Sequence, residues 1–336
     1  MSESSLPTFS VIIPTYNRAD VLARTIRHFM AQDYPPDRYE VILVDNSTDR
    51  TAEVVEALAA ESACAIRLLR TPIRLPAIKR NLGLAAARFD YALFFNDDVW
   101  VEPNLLREHA RTHAQYDAPI AVLGLVEQSK QMPWTPFQDV WKPFAFDDIA
   151  DRAGQSVPYS YFWSMNLSLS RQVMLQRNLL FHEDWAEIGH EDVELGWRWT
   201  NAGYTIIYNP RARGEHYHPM TLESACAFAE GIGRGLRDLS DLVSDPHLLE
   251  WYGVLSWRNR PRKLVRGLVR EVLFNRWTCP YVHRWLARRT TKYSPVAKWL
   301  GWKLMIFHCN RGYRMAPQRR PQPRVTRPPA ALAAGA

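Results

Sequence analysis

The chain has 336 residues, 47% of them hydrophobic, which suits one large domain or one domain plus an appendage with a sizeable core. Its net charge of +7 hides an asymmetry: from Ser256 onward 19 Lys and Arg face one acid, Glu271, while the residues before it hold the other 23 basic and 34 acidic side chains. The start "MSESSLPTF" lacks a signal-peptide pattern, no stretch approaches the ~18 apolar residues of a membrane span, and Cys64, Cys226, Cys279 and Cys309 have no metal-ligand spacing, so the expectation is a cytoplasmic protein with reduced thiols.

The first hundred residues alternate strand and helix. "FSVIIP" (9–14) is an apolar run ended by Pro14, and "ADVLARTIRHFMAQ" (19–32) has Val21, Leu22, Ile26, Phe29 and Met30 at helical spacing. "YEVILVDN" (39–46) is a second strand, and the following segment reads as a helix capped by Ser47 or Thr48. "AIRLLR" (65–70) is a third strand, "PAIKRNLGLAAAR" (76–88) a helix opened by proline, and Tyr91–Phe95 a fourth strand. Such alternation predicts an α/β fold with a mainly parallel sheet flanked by helices. Polar residues gather at the carboxyl ends of these strands, where ligands bind in open α/β sheets: Thr15, Tyr16 and Asn17; Asp45 and Asn46; Asn96, Asp97 and Asp98.

From about 116 to 220 the pattern is less regular. Strands are predicted at 119–126, 159–169 and 204–209, a long aromatic loop at 134–148, and helices at 190–204 and 224–243. The segment 127–158 is expected to shape the acceptor side of any site. From Pro317 onward Pro, Arg and Ala dominate, which predicts disorder.

Two adjacent carboxylates at a strand end repel each other. Asp97–Asp98 reads either as a solvated turn or as a site for a divalent cation, and the cation explains the pairing better, with a ligand's phosphates completing a Mg²⁺ or Mn²⁺ shell. Asp45 reads either as a helix cap or as an acceptor for a base N–H. Arg80 is suited to phosphate, whereas Lys79 reads as a solvated helix face. Glu191 and Asp192 open a helix, where the dipole favours acids; alternatively, side by side, one has a raised pKa suited to abstracting a hydroxyl proton. His216 and His218, two apart, share a strand face and could ligate a metal.

The ordered series "SVIIPTYNR", "VILVDNSTD", "IKRNLGLAAA", "FFNDDVWVEP", "MNLSLSR" and "HEDVELGWRWTNAGY" resembles the motifs of the inverting, nucleotide-sugar-dependent family 2 glycosyltransferases with the GT-A fold, over about residues 8–240. The resemblance implies a Rossmann-like central sheet and transfer of a hexosyl or related sugar from a nucleotide-diphosphate sugar to a hydroxyl of a glycan or lipid-linked acceptor, as in polysaccharide or cell-envelope synthesis. It implies that Pro14, Thr15, Tyr16, Arg18 and Asp45 hold base and ribose, with Pro14 shaping the turn, and that Arg80 and Asn81 lie near the diphosphate. "NDDV" resembles the metal motif, with Asn96 where many members have Asp. Asp98 then ligates Mn²⁺ or Mg²⁺, Asp97 contacts ribose or reaches the metal through water, and His216, with His218 as fallback, is a further ligand. Asp192 matches the general base, with Glu191 beside it as orienter or acceptor contact; Arg198, six residues on, could contact phosphate or brace the acids.

These readings divide the chain into a catalytic domain at 1–245, a basic helical extension at 246–312 and a tail at 313–336. The extension interleaves Trp with Arg and Lys and reads as a packed lid or as a segment lying on an anionic membrane, the latter suiting a protein peripheral to the inner face of the cell membrane; nucleic acid is not the expected partner. Two rival functions are a nucleotidyltransferase, whose Gly-rich phosphate loop "SVIIPTYNRAD" lacks, and a non-catalytic polyanion or membrane binder, which leaves the paired acids unexplained.

Overall fold

The computed structural model describes residues 6–138, 140, 144–185, 189–245, 248–252 and 272–317, without the side chains of 250 and 251. The tail from 318 and most of the stretch 246–271 lie outside these residues, so the expected disorder and the first part of the expected basic helical extension fall beyond them.

β-Branched and aromatic runs build the sheet. Its strands are β1 (Phe9–Thr15), β2 (Tyr39–Asp45), β3 (Ala65–Arg70), β4 (Tyr91–Phe95), β5 (Val99–Val101), β6 (Ile120–Gln128), β7 (Asn166–Ser170) and β8 (Thr205–His216). They lie in the order β3-β2-β1-β4-β7-β6-β8-β5. β1 to β4 are parallel, β7 runs antiparallel between β4 and β6, and β6 pairs parallel with β8. β2 is buried at every position, which is why it reads as a continuous apolar run. Pro14 sits inside β1 opposite Val44 rather than in the turn; pairing of β1 with β4 has already ended at Ile12, so its missing N–H is tolerated there.

Helices α1 (Ala19–Met30), α2 (Thr51–Glu61), α3 (Pro76–Ala86) and α4 (Leu105–His113) flank the sheet. α1 buries Leu22, Ile26 and Phe29 on one face, as its spacing requires. α2 starts later than predicted: Asp49, not Ser47 or Thr48, accepts the Thr51 N–H at 3.0 Å. In α3 a Cβ on Gly83 would lie 2.3 Å from Ile12 Cγ2, so glycine lets the helix settle on β1.

Two strand expectations change. Residues 159–161 form a 3₁₀ turn, and the strand begins only at Asn166, because the aromatics before it pack on helix α6 (Glu191–Asn201), where Gly196 admits Phe162. β8 runs well past 209, to His216, because β5 turns back and pairs antiparallel with its end, Val99 opposite His216. A register shift in β6 between Gly124 and Leu125 accommodates the extra length.

After α5 (Arg171–Gln176) and α6 come α7 (Leu222–Leu242), the short α8 (Leu248–Trp251), α9 (Cys279–Ala287) and α10 (Pro295–Met315). α7 and α10 cross backbone to backbone: an added Cβ on Gly233 would lie 1.9 Å from the Cys309 carbonyl oxygen, and one on Gly312 1.9 Å from that of Glu230. A second apolar core unites Leu222, Ala225 and Cys226 of α7 with Phe274, Cys279, Leu286 and Leu304. The described part of the basic extension is thus packed on α7. All four cysteines are free and buried. Among the described residues no helix is long and apolar enough to cross a membrane.

Candidate active site

The carboxyl ends of β1, β2 and β4 converge. After β1, Asn17 takes a left-handed conformation (φ 50°), its N–H donates to Ser47 Oγ at 2.7 Å, and its Oδ1 accepts the Thr48 N–H at 2.8 Å. The loops after β1 and β2 are thereby joined. Asp45 is fully buried: its Oδ1 accepts the Ser47 N–H at 2.8 Å and its Oδ2 pairs with Arg70. Arg70 therefore covers Asp45, and the open rim here is Arg70 and Tyr16, with Arg74 donating to the Tyr16 hydroxyl at 3.0 Å.

Lys79 is not on a solvated face. It is 2% exposed, and its Nζ donates to the Thr15 carbonyl at 2.6 Å and to Asn46 Oδ1 at 2.5 Å. Burial lowers its pKa to about 8 against the pull of Asp45 and Asp97. Its spacing from Gly83, four residues on, could have shown this, since both share the face of α3 that meets the sheet.

Asp97 and Asp98 end β4. Thr15 Oγ1 donates to Asp97 Oδ2 at 2.8 Å, and Arg18 Nη1 donates to both acids, at 3.0 and 2.8 Å. Asp98 Oδ2 also lies 3.3 Å from His216 Nε2 and 2.9 Å from His218 Nδ1. Burial and the neighbouring charge of Asp98 raise Asp97 to about 6. Burial alone would raise Asp98 too, but His216, His218 and Arg18 outweigh it and hold its carboxyl well below the usual range. Asp98 Oδ1 is buried without a hydrogen-bond partner.

One carboxylate and two imidazoles, with ligand atoms within 4.8 Å of one another and a spare buried oxygen, fit a divalent cation. Both histidines belong to the cluster, so the choice between them dissolves. β5 explains it: by turning back on β8 it sets Asp98 beside His216, with the Tyr217 N–H donating to the Asp98 carbonyl at 2.8 Å.

The second acid pair opens α6 after a left-handed His190 (φ 74°) and Gly189 (φ 115°). Glu191 is buried, pairing with Arg80 Nη1 at 2.8 Å and accepting the Gly189 N–H at 2.8 Å. Asp192 is half-buried; its Oδ2 accepts from the Ser164 N–H at 3.1 Å and its Oδ1 from the Val193 N–H at 2.8 Å. Burial and then the Glu191 charge raise Asp192 to about 6, against Arg80. Arg80 also reaches Asn96 Oδ1 at 3.4 Å, so one buried guanidinium ties the end of β4 to the start of α6. Ser164, unpromising in the sequence, is what fixes the Asp192 carboxylate.

Two predicted contacts fall elsewhere. Arg198 grips Glu194 at 2.6 and 2.8 Å and the Leu180 carbonyl at 2.5 Å, so it braces neither Glu191 nor Asp192. Asn81 exchanges backbone bonds with Phe181, at 2.8 and 3.0 Å. Both pin residues 180–183 beneath the site, a task for which their own helices hold them at the right height.

A cavity of about 370 Å³ adjoins His216 and His218, walled by Phe144, Phe146, Met132 and Tyr208. Phe144 meets both His216 (5.9 Å) and Trp163 (5.3 Å), so an aromatic wall leads from the histidines to the residue preceding Ser164.

Residues 10–171 match the sequence profile of glycosyl transferase family 2. Residues 10–171 therefore carry a glycosyl transferase family 2 domain. It is 30% identical over 249 residues to the validoxylamine A glucosyltransferase of Streptomyces hygroscopicus subsp. limoneus, covering 66% of this chain and 54% of that one. It is 32% identical over 118 residues to the poly(ribitol-phosphate) beta-N-acetylglucosaminyltransferase TarS of Staphylococcus aureus (strain Mu50 / ATCC 700699), covering 35% and 21%. The chain thus spans about half the length of the first relative and a fifth of the second. Among solved structures, mannosyltransferase PcManGT from Pyrobaculum calidifontis, in complex with GDP-Man and Mn²⁺, superposes with a TM-score of 0.62 at 19% identity, over 93% of this chain and 88% of that one. S. aureus TarS 1–349 in complex with UDP gives 0.51 at 15% identity, over 91% of each. These likenesses establish the GT-A fold of the chain.

Proposed function

We propose that the protein transfers a sugar from a nucleotide-diphosphate sugar to a hydroxyl of a glycan or lipid-linked acceptor, with inversion and with a divalent cation. The observation that carries this is the Arg80 tie, which joins Asn96, two residues before the Asp98 of the carboxylate–bis-imidazole cluster, to Glu191, the neighbour of an acid of raised pKa, Asp192. The names of relatives and the GDP-Man and UDP complexes of structural neighbours support a nucleotide-sugar donor.

The base lies on the rim of Tyr16 and Arg70, with Asp45 fixing Arg70 from behind. Asp97, braced by Thr15, faces the ribose. Asp98, His216 and His218 would hold the cation, which would supply positive charge against the leaving diphosphate. Mixed oxygen and imidazole donors favour Mn²⁺ over Mg²⁺, which prefers oxygen alone. Asp192, aimed by Ser164, accepts the proton of the acceptor hydroxyl as its oxygen attacks the anomeric carbon opposite the departing diphosphate. Glu191 stays bound to Arg80 and orients rather than reacts. One displacement without a covalent intermediate inverts the anomeric centre.

A panel of nucleotide sugars, assayed with Mn²⁺, Mg²⁺ or chelator, tests this reading, with the product's anomeric configuration read by NMR. Release of nucleoside diphosphate that needs the cation, with an inverted product, is expected. A retained configuration, or turnover indifferent to chelator, contradicts it.

A further inference from the structure

Residues 272–317 contain nine Lys and Arg and no Asp or Glu. Of the thirteen large apolar side chains exposed among the described residues, nine lie in this stretch, including Trp277, Tyr281, Trp285, Trp299 and Trp302, so the exposure is concentrated rather than scattered. Trp277 and Tyr281 are each 69% exposed.

Within each helix the exposed aromatics lie on the outer side. Tyr281 and Trp285 are four apart on α9, while Cys279 and Leu286 point inward. Val296, Trp299 and Lys303 follow one another at helical spacing on α10, whose other side, with Gly301, Leu304 and Gly312, is buried. Phe274 meets Trp299 at 5.5 Å and links the segment before α9 to α10. Four of the exposed aromatics carry their own cation: Arg276 lies over Trp277 (4.8 Å), Arg284 over Tyr281 (4.7 Å), Arg289 over Trp285 (3.8 Å) and Lys303 over Trp299 (5.8 Å).

We propose that this face docks the protein on an anionic lipid bilayer, the aromatic rings lying at headgroup depth and their paired cations on lipid phosphates. Three features select this partner. The remaining basic stretches, 256–270 and 318–336, are themselves cationic and do not complement the face. Aliphatic side chains stand exposed among the aromatics, Val272 at 71% and Leu273 at 52%; they can enter acyl chains and have no base to stack on. The acidic body is repelled by an anionic surface, which leaves this end to face it. The docking face is also one helix from the chemistry. α7 carries α10 on one side, and on the other accepts the His190 ring at the Ile232 carbonyl (3.3 Å), two residues from Asp192. α7 therefore stands between the docking helices and the start of α6, which carries Asp192. The inference goes beyond the transfer reaction and does not need it.

The test is co-flotation of the full chain with phosphatidylcholine vesicles, with and without phosphatidylglycerol, at low and high salt. The expected result is binding that requires the anionic lipid, weakens with salt, and shifts tryptophan emission to the blue. Combined Arg276→Glu, Arg284→Glu, Arg289→Glu and Lys303→Glu should cut binding by at least about a hundred-fold, each cation at the surface being worth about five-fold. Combined Trp277→Ala, Trp285→Ala and Trp299→Ala should remove the part that survives salt. Unchanged circular dichroism and cysteine accessibility certify the fold of each variant. Three outcomes overturn the proposal: a wild-type chain that ignores anionic vesicles, folded variants that bind them as well as wild type, or a face whose substitutions abolish self-association or oligonucleotide binding but leave vesicle binding intact.

Discussion

Asp192 is the residue on which turnover should hinge. Asp192→Asn keeps the shape and the Ser164 bond but accepts no proton, so it should bind donor normally and lose turnover by about 10²–10⁴-fold in steady-state assays. The raised pKa fixes the pH dependence. The base works deprotonated, so kcat/KM should fall about tenfold per unit as pH drops below about 6 and level off above it, and Asp192→Asn should lack this limb. Arg18 supplies a second prediction. It neutralises two buried acids, so Arg18→Ala should lower stability in chelator by about 1–3 kcal/mol, allowing for its partial exposure, and Mn²⁺ should narrow the gap in thermal melts. At this scale the sequence singled out the candidate residues but not their contacts. Paired acids and spaced histidines announce themselves by type. That Asn81 and Arg198 would bind backbone, that Lys79 would be buried, and that Arg70 would cover Asp45 depend on what lies opposite, which spacing along one chain does not encode.

Among the elements, the α7–α10 crossing is the most exacting. Gly312→Ala would drive a Cβ into the Glu230 carbonyl, so it should cost about 1–3 kcal/mol in denaturant unfolding; Gly301→Ala meets only Val140 methyls, at 3.1 Å, and should cost less. The helices and parallel strands of the first hundred residues were legible because each is a local period bounded by Pro or polar residues. The lengths of β7 and β8 were not. β8 extends because β5 returns to pair with it, and β7 starts late because Phe162 fits the notch at Gly196; both are decided by distant partners. The lengthening of β8 is what carries His216 to Asp98, so the site's geometry depended on the least readable strand.

For the whole molecule, the charge asymmetry does not coincide with a structural boundary. The basic end contributes Phe274, Cys279, Leu286 and Leu304 to a core shared with α7, so a cut at 245 would open apolar surface on the acidic body. The packed inner face of these helices agrees with the lid reading, and their exposed outer face is the one proposed to meet a membrane. The account's central claim is that Asp98, His216 and His218 bind a cation that in turn holds the nucleoside diphosphate. Calorimetric titration of UDP and of GDP into wild type and Asp98→Asn, with Mn²⁺ and with chelator, tests it most directly. Wild type should bind one nucleotide at least about tenfold more tightly with Mn²⁺, and Asp98→Asn should lose that difference. Equal affinity with Mn²⁺ and with chelator in the wild type would contradict the account.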